Sequence, residues 1–142
     1  MSAENALRPE PAPLEAVTVS RDVQEFDLLI EDMEAELGEA WGDLTFAEAI
    51  DFLHQDEAAN LMFVVVAVDD RDEADLPRIA TMIRQAKRIG VQVILVAAGL
   101  DPMLLHELLR AGADDFAPYP LPQNALAEAI AKVRNQRAGA SP

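Results

Sequence analysis

The sequence predicts an α/β domain, a five-stranded parallel sheet with helices on both faces. Two observations carry this. Leu61–Val68 is apolar throughout, Val91–Ala98 is apolar but for Gln92, and both are rich in valine, as expected of strands buried on both faces. Around them, apolar runs alternate with stretches of helical periodicity, which argues for a parallel sheet covered on both sides.

In chain order, Leu14–Ser20 reads as a short first strand, with Val17 and Val19 alternating with polar neighbours. Phe26, Leu29, Ile30, Met33 and Leu37 then line one face of a helix that Gly38 stops. Ala40–Leu44 reads as a weak second strand. Thr45 with Glu48 forms a capping box opening a helix that carries Phe46, Ala49, Ile50 and Leu53. The third strand, Leu61–Val68, runs into an acidic loop, Asp69–Asp75. Leu76, Ile79, Ala80, Ile83 and Ala86 line the third helix, which Gly90 ends. After the fourth strand, Val91–Ala98, Asp101 is an N-cap and Pro102 fits the first helical position. The fourth helix reaches Ala111 and ends at Gly112. A last strand centres on Phe116, and Ala125, Leu126, Ala129, Ile130 and Val133 mark the fifth helix. Right-handed crossovers leave few topologies for this alternation. It predicts a flavodoxin-like three-layer sandwich with strand order 2-1-3-4-5.

Residues 1–13 read as a flexible leader, 14–134 as the domain and 135–142 as a linker or tail, as if one domain had been cut from a longer protein. The absence of cysteine excludes disulfides and thiolate chemistry and suits a reducing cytoplasm. With 26 acidic against 11 basic residues, the net charge of -15 repels nucleic-acid phosphates and anionic lipid. A nucleic-acid partner is therefore not expected, and no apolar run approaches the length of a membrane span, the longest being Leu61–Val68, so membrane insertion is not expected either. The charge reads either as a solubility device or as a match for a basic partner.

Leu108–Pro120 is the most specific stretch. Ala111, Gly112, Ala113, Asp114, Asp115, Phe116 and Pro120 resemble the end of the receiver domains of bacterial response regulators (CheY-like domains). There, a helix closing in Ala-Gly-Ala is followed by Asp-Asp, an aromatic residue and a Lys-Pro pair. The resemblance implies an aspartate phosphorylated at the end of the third strand and two acidic residues holding Mg²⁺ at the end of the first. It also implies a hydroxyl ending the fourth strand and a lysine ending the fifth, before a cis proline. Here these positions fall on Ala67, on Ser20 and Arg21, on Ala97 and on Tyr119. Alanine offers no nucleophile, a phenol is neutral at pH 7, and an arginine conflicts with a cation.

The Ala-Pro-Tyr-Pro ending is similar to that of the amino-terminal pseudo-receivers of CpaE-type pilus-assembly ATPases. Those join such a domain to a ParA/MinD-like ATPase, of which this chain holds no G-x-x-x-x-G-K-[ST] loop. The resemblance thus implies a non-catalytic module with no cofactor. It would bind a protein partner, or a second copy, through the fourth helix, fifth strand and fifth helix, with His106, Arg110, Phe116, Tyr119 and Leu121 on that face. The alternative is an atypical working receiver phosphorylated on Asp69 or Asp70. A nucleotide- or flavin-binding domain of this topology would need a phosphate loop after the first strand, which is missing.

Other constellations are weaker. Asp69, Asp70, Asp72, Glu73 and Asp75 suggest either a cation-binding loop or solvated charge, and the glycine and terminal glutamate of a calcium loop are lacking. His54 and His106 are solitary. Ser20 and Thr81 lack the surroundings of a nucleophile.

Overall fold

The computed structural model describes residues 14–139, so the leader expected over 1–13 lies outside the described residues. Five strands form one sheet: β1 (Ala16–Val19), β2 (Trp41–Leu44), β3 (Phe63–Asp69), β4 (Gln92–Ala98) and β5 (Asp115–Pro118). Their order is β2-β1-β3-β4-β5, and every neighbouring pair is parallel. The predicted 2-1-3-4-5 order is therefore the one adopted. Five helices cover the sheet: α1 (Asp27–Leu37), α2 (Phe46–Phe52), α3 (Leu76–Arg88), α4 (Pro102–Ala111) and α5 (Ala125–Gly139).

Side chains alternate across a strand, so β3 feeds both cores. Val64, Val66 and Val68 pack with α2, α3 and α4, whereas Phe63, Val65 and Ala67 pack with α1 and α5. Every residue of β3 is buried.

Local chemistry sets the ends of the helices. Glu48 N–H donates to Thr45 Oγ1 at 3.2 Å and Thr45 N–H to Glu48 Oε1 at 2.8 Å, the reciprocal pair expected of a capping box. Asp101 Oδ1 accepts from Met103 N–H at 2.8 Å, with Pro102 at the first helical position. Gly112 closes α4 at φ +131, and a Cβ there would lie 2.7 Å from Lys87 Cγ, so the turn requires glycine.

Several boundaries differ from the expectation. β1 is shorter than Leu14–Ser20, and β3 starts at Phe63 because Asp56–Asn60 forms a 3-10 turn before it. β3 also runs one residue past Val68, to Asp69. The segment expected as an acidic loop is a 3-10 turn over Asp70–Asp75. α5 continues through Asn135 to Gly139, where a linker was expected. Gln, Arg and Ala sustain a helix, and no proline interrupts this stretch.

The cores predict opposite effects for two substitutions. Ile94 is fully buried in β4. Ile94→Ala should cost about 2–5 kcal/mol in urea denaturation. Thr18 is fully buried in β1, and its hydroxyl has no partner among the described residues. Thr18→Val, nearly isosteric, should raise stability by about 1 kcal/mol, because it removes a desolvated hydroxyl.

Candidate functional site

In parallel α/β sheets, ligands bind beyond the carboxyl ends of the strands where the strand order reverses. Here that point lies between β1 and β3, whose ends stand side by side with Val19 opposite Val66. After β1 the chain passes Ser20 and Arg21. It then enters a 3-10 turn, Val23–Glu25, capped by Asp22, whose carboxylate accepts from Gln24 N–H at 3.0 Å.

Arg21 bridges the two strand ends. Its Nη1 donates to Asp69 Oδ1 at 3.2 Å and to Asp72 Oδ1 at 2.7 Å. Its Nη2 donates to Asp69 Oδ2 at 3.2 Å and to Glu25 Oε1 at 2.7 Å. Arg71 closes the cluster from outside, its Nη2 2.8 Å from both Asp69 Oδ2 and Glu25 Oε2. Forked guanidinium–carboxylate contacts of this kind are the strong ones.

The two aspartates are also backbone caps. Asp69 Oδ1 accepts from Arg71 N–H at 2.9 Å, and Asp72 Oδ2 accepts from Asp69 N–H at 2.8 Å. The pair forms a capping box that turns the chain from β3 into the 3-10 turn. Neither cation coordination nor solvated charge describes these two residues: each is buried and bonded within the protein.

The electrostatics follow from these contacts. Burial opposes ionisation of Asp69, but the bonds from Arg21 and Arg71 outweigh it and hold the carboxyl at about 2. The Arg21 bond lowers the Glu25 carboxyl as well. The Asp69 bond raises Arg21 above its ordinary value. Burial pushes the Asp72 carboxyl up, partly offset by Asp69 N–H and Arg21.

These donors do not fit a divalent cation. The carboxylates at the strand ends are engaged with guanidinium groups, and among the described residues no group of three His, Cys, Asp or Glu side chains is arranged to hold a metal.

The structure brings only part of the predicted set together. Arg21 meets Asp69, while Asp70 is exposed. Ser20 is buried next to Arg21, its hydroxyl without a partner among the described residues. Ala67 and Ala97 are buried in opposite core layers. Tyr119 turns toward α1. Its hydroxyl accepts from Leu28 N–H at 3.0 Å, and its ring meets the Phe26 ring edge-on at 5.1 Å. Phe26, at the N-cap of α1, supplies no side-chain cap, so Tyr119 caps that helix from across the chain. The Tyr119–Pro120 bond is cis, as expected from the resemblance. His106 and Arg110 are exposed on α4, and Phe116 is exposed on β5. Tyr119 and Leu121 instead pack against the α1–α5 core layer.

Sequence reading missed Glu25 and Arg71 as members of the cluster and the cap made by Tyr119. The i,i+4 spacing of Arg21 and Glu25 and the Asp-x-x-Asp capping spacing were available signals. Contacts between residues 48 positions apart, such as Arg21–Asp69, leave no local signature.

Two substitutions test these contacts. The Asp69 carboxyl is depressed in the folded state, so the unfolded chain takes up the proton first as pH falls. Its stabilisation is full above 3.8 and is lost as pH falls toward about 2. Asp69→Asn should therefore lower stability by about 2 kcal/mol at neutral pH. The difference should vanish toward pH 2 in denaturation curves taken across that range. Tyr119→Phe keeps the ring and removes the cap, and should cost about 1 kcal/mol at neutral pH.

No family model matches this chain, and no curated protein matches it. Solved structures do resemble it. A protein assigned to pilus assembly (CpaE) from Burkholderia thailandensis has a TM-score of 0.61 at 20% identity, over 86% of this chain and 98% of that one. The CheY-like protein TadZ from Pseudomonas aeruginosa gives 0.65 at 18%, over 84% and 98%. A response regulator receiver protein from Pseudomonas putida gives 0.61 at 21%, over 85% and 98%. With its sheet order and helical layers, the chain has the CheY-like receiver fold.

Proposed function

We propose that this chain is a pseudo-receiver: a non-catalytic, cytoplasmic regulatory module that acts by binding protein and is joined to a ParA/MinD-like ATPase in pilus assembly or secretion. The observation that carries the proposal is the position of Arg21. Its guanidinium lies across the strand ends where a working receiver gathers carboxylates for a divalent cation, and it bonds Asp69, Asp72 and Glu25 there. A fixed internal cation serves the purpose of folding and leaves no open pocket of negative charge.

The surrounding positions support the same reading. Phosphoryl transfer depends on positioning and on stabilising spread negative charge. Ala67 is buried and has no nucleophile, Ala97 has no hydroxyl, and Tyr119 spends its oxygen on Leu28 N–H. Asp69, the acid nearest the site, is held by two arginines and a backbone N–H. The likeness to proteins assigned to pilus assembly supports the wider setting. Among the described residues no helix is long and apolar enough to cross a membrane.

The proposed protein-binding face is α4–β5–α5. His106, Arg110 and the exposed ring of Phe116 stand there, and Met103 is 74% exposed at the start of α4. Tyr119 and Leu121, placed on this face from the sequence, contribute through its packing, since both lie against the core.

The chemical test is direct. Incubation with Mg²⁺ and acetyl phosphate should leave the mass of the protein unchanged. A stoichiometric phosphate adduct, labile to hydroxylamine and abolished by Asp69→Asn or Asp70→Asn, would replace the pseudo-receiver with an atypical working switch.

A further inference from the structure

Cations are scarce in this chain, 11 against 26 acids, and they are not spread evenly. α3 holds Arg78, Arg84, Lys87 and Arg88 and no acidic residue. α1 is its inverse, with Asp27, Glu31, Asp32, Glu34 and Glu36 and no basic residue. The two helices cover opposite faces of the sheet: Ile79 and Ile83 of α3 belong to one core layer, Leu29 and Met33 of α1 to the other. The molecule therefore carries a basic helix on one side of the sheet and an acidic helix on the other.

Between α3 and α4 runs an open groove of about 500 Å³. Leu76, Ala80, Leu108 and Ala111 line it, together with Arg84 and Arg110. Arg78, Lys87 and Arg88 have partners in Asp75, Asp114 and Gln85. Among the described residues, Arg84 and Arg110 have neither an ion pair nor a hydrogen-bond partner. Glu107, also on the groove, offsets part of their charge.

The outward stripe of α1 has the complementary chemistry. Leu28, Glu31, Asp32, Ala35 and Glu36 recur at the spacing that places residues on one helix face. Leu28 is 39% exposed among these acids, at the edge of a hollow that Asp32, Ala35 and Glu36 also line. None of the α1 carboxylates has an ion pair among the described residues. Burial raises the Asp32 carboxyl, with smaller contributions from Glu31 and Glu36.

We propose that a second copy of this chain seats the α1 stripe in the α3–α4 groove, Leu28 on the apolar floor and Glu31 and Glu36 against Arg84 and Arg110. The contact joins two different faces, so it is head-to-tail and extends into chains unless the rotation closes a ring. The net charge of -15 on each copy opposes association at long range. At about 0.15 M salt that repulsion is screened beyond roughly 8 Å, while groups in contact still interact. The groove shares α4 and Arg110 with the proposed α4–β5–α5 face, but the phosphorylation test involves neither, so this inference and the pseudo-receiver reading fail separately.

Sedimentation equilibrium at about 0.15 M salt decides it, over protein concentrations from about 10 μM to about 1 mM. The weight-average mass of the unaltered chain should rise with concentration. Arg84→Glu with Arg110→Glu, and separately Glu31→Lys with Glu36→Lys, should each weaken association at least about tenfold by setting like charges opposite one another. An equimolar mixture of the two variants should associate again, because each reversed face then meets an opposite one. These side chains are not in the core, and matching circular dichroism melts would confirm that both variants fold. A chain that stays monomeric throughout overturns the proposal. So does association that survives both reversals, or a mixture that stays monomeric.

Discussion

Strand β3 is buried on both faces, and that burial constrains the rest of the molecule. It pairs with β1 on one side and β4 on the other, and its alternate side chains enter both core layers. Removing apolar surface from water is the main favourable term in folding, and a strand sealed on both sides contributes with every residue. The helices are then needed on both faces, since either layer left open would expose valines. The strand must also end somewhere, and where it ends the backbone needs polar partners.

Asp69 and Asp72 answer that need. Together they cap the turn that follows β3, and two buried carboxylates at one strand end call for positive charge. Arg21, delivered by the adjacent end of β1, supplies it, with Arg71 and Glu25 completing the set. The cluster closes the crevice at the switch point of the sheet with internal bonds. A crevice that binds its own guanidinium is poorly suited to an exogenous cation. The same economy holds at Tyr119, whose oxygen caps α1.

Outside this crevice the molecule presents charged surfaces. The uneven charge is a property of these surfaces. Acids dominate overall, yet α3 has none and α1 has no base. Such an arrangement bears on association and orientation, not on the fold, which the apolar layers specify.

The sequence by itself determined the layers and their order. Apolar, valine-rich runs, helix stripes, the Thr45 capping box and the glycine and proline stops are local signals, and each depends on residues a few positions apart. They placed every strand and helix, missing mainly at ends, as at Asp69, where the strand outlasts its apolar run because the following turn caps it. The resemblance around Leu108–Pro120 pointed to the same fold. Only the tertiary structure decided what the strand ends do. Arg21 read alone was a misplaced charge, Asp69 a loop acid and Tyr119 a lost lysine. Arg21 and Asp69 are 48 residues apart, and Leu28 and Tyr119 are 91 apart. Parallel pairing through crossovers is what brings such residues within 3.2 Å, and no local pattern encodes a contact made by the meeting of two strand ends.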